Sequence, residues 1–402
     1  MSTTLVDESP SNALSGKDQN WRFATIRRYR VGSLQPAPEL GVDVLQGLHA
    51  RSGMLDEVVG QATLAGNQIV SPFSLDEAAL ARGVQLKPFS ESTQSFPVLG
   101  GTQFQALNSA HARTGVFLEV PDNVELEKPI FFFHWTVQGA SFPQVHVRTG
   151  AHSKLRLVEV YLSANGDTGF NIATTQVSAG VGSQVSRIVV RNWNPQTTAV
   201  HMEHLTTGRD AQLRSINLNI GGGAVRQESV ISAEGQGADA RLHSLAIAGA
   251  GQEFDQRTLQ AHEAPDSRSD LLFKNALLAG GRTIFSGMIR VAPEAQHTDA
   301  YQTNRNLLLD PSAEANSLPG LEILANDVKC SHGATSGQID EDQLFYMRSR
   351  GISDRLARQL LVFGFFEEII EKIQLPNLED LVRKWIEERF QSQPTFPDHA
   401  AA

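Results

Sequence analysis

Cysteine is nearly absent: Cys330 is the single one in 402 residues. That excludes an intramolecular disulfide and fits a reducing compartment. It also excludes a self-contained iron–sulfur or thiolate zinc centre, which needs about four ligands. Long hydrophobic runs are missing too. No stretch approaches the roughly 20 apolar residues of a membrane span; residues 360–366 are among the longest, and Gly364 interrupts them. Basic side chains are in deficit, 34 against 44 acidic ones, and the net charge of −10 argues against nonspecific nucleic-acid binding. Residues 1–20 lack the basic and apolar segments of a secretory signal and are not Arg-rich like a transit peptide, so a cytoplasmic location is expected. There is no GxxxxGK[ST], hence no P-loop nucleotide site in this chain. Gly221-Gly222-Gly223 has no lysine after it and reads as a turn.

What is present is a repeat. Gly150, Gly180, Gly208 and Gly237 are each followed at +3 by a small residue, and at +5 and +8 by an aliphatic one, at spacings of 30, 28 and 29. A turn glycine and strand-like alternation at a fixed period signal a stacked solenoid. The period is too long for an 18-residue hexapeptide coil, and the LxxLxL of leucine-rich repeats is missing. A mainly β, parallel β-helix with about two strands per coil fits best. Its ends read as capped by non-repeat sequence, with the side faces free. The expected organisation is a disordered tail (1–20), a small α+β cap (21–100), the β-helix core (101–335), a helical domain (336–390) and a second disordered tail (391–402). Within the cap, Ser74 is expected to start a helix.

The stretch from Val328 to Thr335 stands where the strand-rich middle gives way to helices. Leu324 to His332 reads as a final strand. Val328, Cys330 and His332 alternate with Lys329 and Ser331, so a strand here puts Cys330 and His332 on one face, about 7 Å apart. A thiolate and an imidazole are good ligands for iron or zinc. Two ligands make half a site, to be completed by a partner chain or bound sulfide. The competing reading is a buried structural thiol beside an ordinary histidine.

Two helices follow. Ser353 caps the first, which runs to about Ile373 with two apolar stripes: Leu356, Leu360, Phe363, Ile370 and Val362, Phe366, Ile369, Ile373. Together they exceed one normal buried face. Either the chain packs this helix on two sides, or one side docks a partner. Pro376 and Asn377 break the chain before the second helix, about Leu378 to Phe390. His201 and His204 would face opposite sides of a strand and read as surface residues; His262 and His297 read as isolated. A β-helix carbohydrate-active enzyme needs a carboxylate cluster; Asp255, Asp266 and Asp270 are candidates by count alone.

Several runs carry a resemblance: Asp255-Gln256-Arg257-Thr258, His262, Ser269, Phe285-Ser286-Gly287, Gln296-His297-Thr298-Asp299, Asn304-Arg305-Asn306, Lys329-Cys330-Ser331-His332-Gly333-Ala334-Thr335 and Leu344-Phe345-Tyr346. Together they resemble the SufB/SufD family of iron–sulfur cluster assembly scaffolds, over roughly residues 100–375. Trp21-Arg22-Phe23 resembles an N-terminal Trp motif of that family. The resemblance implies a right-handed parallel β-helix, a C-terminal helical domain that docks the ATPase SufC, and a non-catalytic subunit pairing with SufB through the β-helix cores, or with itself in isolation. It implies a transient iron–sulfur cluster shared with the partner chain, with Cys330 and His332 as this chain's contribution. Leu356, Leu360, Phe363, Phe366 and Ile370 become the expected SufC platform. The alternative is a purely structural partner with no cluster ligands of its own.

Overall fold

The computed structural model describes residues 14–32, 34–52, 58–89 and 95–391. The tails expected at 1–20 and 391–402 therefore lie mostly outside the described residues. Residues 14–20 do not: Asp18 caps a 3-10 turn at Gln19–Trp21, its side chain accepting from the Asn20 N–H.

Two long parallel sheets stack into a β-solenoid, each coil giving one strand to each sheet. The first sheet runs from Gly60–Ala65 to Lys329–Gln338, the second from Gly115–Val120 to Glu314–Ile323. Strict alternation sorts the side chains. In Lys154–Ser163, Leu155 and Leu157 point into the coil, while Val158, Val160 and Leu162 join the cluster beneath the C-terminal helices.

The register explains the repeat and corrects its last member. Leu155 pairs with Val185, Val185 with Leu213, and Leu213 with Ala240. The last step is 27 residues, so the fourth equivalent glycine is Gly235, not Gly237. The reason is steric. A Cβ on Gly180 would lie 2.3 Å from the Thr149 carbonyl oxygen, and one on Gly235 would lie 2.0 Å from the Arg209 nitrogen. Coils stack too closely at Gly180 and Gly235 for a Cβ, whereas the next coil holds Ala264 at the equivalent position. Gly237 occupies a different turn position, with φ of +73°, which Gly182 and Asp210 share in neighbouring coils. The two-residue slip preserves the alternation, so Ala240 and Leu242 keep the inward parity.

The described residues also form six α-helices: α1 (Val42–Arg51), α2 (Glu77–Ala81), α3 (Thr102–His111), α4 (Glu341–Ser349), α5 (Asp354–Ile370) and α6 (Pro376–Gln391). Ser74 does not start α2. It lies in a two-residue strand, and Asp76 is the cap, accepting from the Ala79 N–H at 2.6 Å. Ser353 caps α5 as expected, accepting from the Leu356 N–H, whereas α6 starts at Pro376, two residues before the expected Leu378, because proline fits the first helical position. Helices α5 and α6 bury Val362, Phe366, Ile369, Ile370, Val382 and Ile386 against the outer face of the first sheet. The N-terminal region covers the outer face of the second sheet, where Trp21, Tyr29 and Phe104 pack on Phe170, Ile172 and Met202. The side faces are thus largely occupied, contrary to the sequence reading.

Candidate functional site at the open end of the solenoid

The two solenoid ends differ. At the N-terminal end, antiparallel strands at Gln68–Ile69, Ser74–Leu75 and Gln85–Phe89 close both sheets. At the other end Lys329–Gln338 and Glu314–Ile323 are the last strands of their sheets, and no described strand pairs with their outer edges. The expected cap is absent there because α4, α5 and α6 turn back along the side of the solenoid instead of crossing its end. The expected single strand from 324 to 332 is instead a turn over 324–328 after Glu314–Ile323, followed by the start of Lys329–Gln338, where Cys330 lies.

Cys330 pairs in register with Ala300, and His332 with Gln302. Ala300 and Gln302 are 0% and 1% exposed and face the interior. Parallel in-register strands keep side-chain direction, so Cys330 and His332 prolong two interior files into a coil that no described strand covers. They share one face, as the alternation predicted, and neither is sealed. Cys330 is half-buried beside Ile289, Val291, Ala300 and Val328; His332 is exposed. Burial pushes the Cys330 thiol up, the Asp299 charge adds to this, and a hydrogen bond with the Ala300 backbone opposes it. The thiol is therefore protonated at neutral pH until a metal or a partner's cation displaces the proton. Among the described residues no group of three His, Cys, Asp or Glu is placed to hold a metal ion.

Sequence reasoning missed an ionic cluster inside the coils. Arg187 donates to Glu159 and to Glu203, both at 2.6 Å; Arg191 donates to Glu203 at 2.5 Å and contacts His201, and all four charged side chains are fully buried. Burial lowers the Arg187 basicity, and Glu159 and Glu203 more than reverse it. His201 is thus interior rather than surface, while His204 lies outward and stacks on Phe96 at 5.9 Å. The signal was available: Glu159 and Arg187 follow Leu157 and Val185 at period two, on the inward parity.

The family-like runs prove largely structural. Asp255 pairs with Arg226 and Arg257, and Trp21 stacks on Arg226 at 3.8 Å. His262 is interior and hydrogen-bonded to Ser267 and Ser269 at 2.7 and 2.8 Å. His297 is exposed and paired with Asp327 at 3.0 Å. The carboxylates that a carbohydrate-active site would need are dispersed. Asp255 is sealed under the N-terminal region, Asp266 accepts from Gln236 in a turn, and Asp270 contacts His243 on the first sheet.

The expected docking residues divide. Leu356 and Leu360 are 44% and 43% exposed, and Phe363 is half-buried. Phe366 and Ile370 are fully buried by the first sheet and α6, so they belong to the chain's own core and not to a surface. On α4, Phe345 and Tyr346 are 71% and 60% exposed, further exposed apolar residues of the helical domain not anticipated from the sequence.

Fold and site define a β-solenoid closed at one end, open at the other, and carrying a helical domain on its flank. Residues 132–365 match the family described as SUF system FeS cluster assembly, SufBD core domain. The chain belongs to that family. It is 28% identical over 380 residues to an iron–sulfur cluster assembly SufBD family protein of Mycobacterium leprae (strain TN), covering 91% of this chain and 87% of the relative. It is 29% identical over 324 residues to the iron–sulfur cluster assembly protein SufD of Escherichia coli (strain K12), covering 79% and 76%. The SufB of Bacillus subtilis (strain 168) is 25% identical over 288 residues, covering 70% and 61%. The chain is thus a SufBD family iron–sulfur cluster assembly protein and a SufD homologue. No helix among the described residues is long and apolar enough to cross a membrane.

Proposed function

We propose that this chain is a non-catalytic scaffold subunit of the cytoplasmic SUF machinery. It pairs with SufB through the open solenoid end and binds the ATPase SufC through the helical domain. Cys330 and His332 donate part of the coordination sphere of a cluster in transit. The observation that carries this reading is the placement of a thiol and an imidazole on the inward face of the last coil, with no third donor beside them among the described residues. Such a pair fits shared coordination across an interface and does not fit a resident centre. The unpaired edges of the last strands suit the addition of strands from a second chain, either SufB or another copy of this one. The exposed residues Leu356 and Leu360 on α5, and Phe345 and Tyr346 on α4, suit the ATPase.

Reconstitution with SufB and SufC in the presence of iron and sulfide tests the assignment. His332→Ala is expected to reduce cluster yield several-fold while the complex still assembles. A yield equal to wild type removes His332 from the mechanism. The raised thiol and its apolar surroundings favour a second reading, in which the chain only holds its partners in register. On that reading Cys330→Ala combined with His332→Ala leaves the yield unchanged, whereas Leu360→Glu abolishes SufC binding.

A further inference from the structure

A second feature lies on the outer face of the first sheet, away from the open end. The register places Arg156 beside Ser186, Ser186 beside Arg214, and Arg214 directly beside Arg241. With Lys154 and the Gln374 backbone at the α5–α6 turn, these arginines line a groove of about 310 Å³. Like charges directly opposed on neighbouring strands destabilise a sheet. Here they stand side by side in a chain whose net charge is −10. Two carboxylates oppose them at one end: Asp239 takes two hydrogen bonds from Arg241, at 2.8 and 2.7 Å, and Asp270 stands directly beside Arg241 on the next strand. Arg156 reaches only the Gln374 carbonyl oxygen, at 3.3 Å. Lys154 and the half-buried Arg214 pair with no carboxylate among the described residues. Four cations against two anions, both at the Arg241 end, leave an excess positive charge in a concave, partly desolvated site.

We propose that this groove binds an acidic peptide segment of a partner protein, laid across the strands. Its length argues for a peptide. Arg156 and Arg241 are three strand steps apart, roughly 14 Å at about 4.8 Å per step. That exceeds what one phosphate or carboxylate bridges and matches about four extended residues. A nucleotide is disfavoured because no aromatic side chain lines the groove to stack a base. A nucleic acid would meet the negative field of the rest of the molecule. The groove adjoins the α5–α6 turn, so a protein seated on the helices has its own acidic segment within reach, but the groove's chemistry does not depend on that seating.

The test is fluorescence anisotropy of a labelled hexaglutamate peptide with the full-length protein at low ionic strength. Binding that weakens steeply with added salt is expected. Arg214→Glu should weaken it at least tenfold and Arg214→Gln about threefold, with thermal melting of both variants unchanged. Labelled hexalysine should not bind. The proposal is overturned if hexaglutamate does not bind, if it binds wild type and Arg214→Glu equally, or if tripolyphosphate binds the groove and the peptide does not.

Discussion

At the scale of single residues, the interior cluster and the open end make opposite demands on charge. Glu203 carries two guanidinium groups inside the coil, where an uncompensated ion is costly. Glu203→Gln leaves Arg187 and Arg191 short of one charge, and a loss of about 3–5 kcal/mol is expected in denaturant unfolding. A loss below about 1 kcal/mol would mean that the arginines find solvent. At the open end, Cys330 is half-buried and its thiol is pushed up, chiefly by burial. Alkylation of the isolated protein should therefore titrate with a midpoint above that of an ordinary free thiol, which is about 8.5. Iron should protect the thiol only when SufB is present. A midpoint below 8.5 would show an activating cation near the sulfur and contradict the geometry. The Cys330–His332 pair was legible in the sequence because period two alone fixes a shared face. The Glu159–Arg187–Glu203 cluster was not read, because charged residues at inward positions break the rule that solenoid interiors are apolar.

At the scale of elements, glycine and the C-terminal helices show what a linear pattern conveys. The turn glycines repeat because stacked backbones leave no room for a Cβ. Spacing alone chose Gly237 over Gly235, since neither a slip of two residues nor a close contact is visible in a one-dimensional pattern. Gly235→Ala forces a Cβ to within 2.0 Å of the Arg209 nitrogen and should destabilise by at least about 1–3 kcal/mol. Gly333→Ala meets nothing within 4 Å and should stay within about 0.5 kcal/mol of wild type. Equal melting temperatures for the two variants would refute the stacking argument. For α5 the sequence showed a surplus of apolar surface but not which stripe the chain itself covers. That choice depends on Val158, Ile188 and Ile216, more than a hundred residues away on the sheet. Phe366→Ala should accordingly cost about 3–5 kcal/mol of stability, whereas Leu360→Glu should leave stability nearly intact and weaken ATPase binding. A Leu360→Glu protein that retains full SufC affinity would move the docking surface off this helix.

At the scale of the whole molecule, the solenoid stores histidines in their neutral form. His134 is lowered to about 3 by burial and by the Arg187 charge, and His262 to about 4 by burial. His201 is held well below its ordinary value by burial and the neighbouring arginines. In the unfolded chain these rings take up protons near pH 6.5, while in the folded chain they do not until well below that. Between about pH 6.5 and 4 the unfolded state therefore binds more protons, and stability falls as the pH falls. Each ring contributes up to about 1.4 kcal/mol per pH unit across that window. The rings lie in different coils joined by continuous ladders, so acid should unfold the solenoid as one unit instead of fraying it from the open end. Unfolding free energy measured from pH 7 to pH 4.5 should drop steeply, and His262→Gln should flatten the slope by about one proton. A flat profile, or a slope that the substitution leaves unchanged, would show that protons enter the interior without unfolding it. The coils would then be open to solvent along their length, and the open end at Cys330 and His332 would no longer be the distinctive point of access.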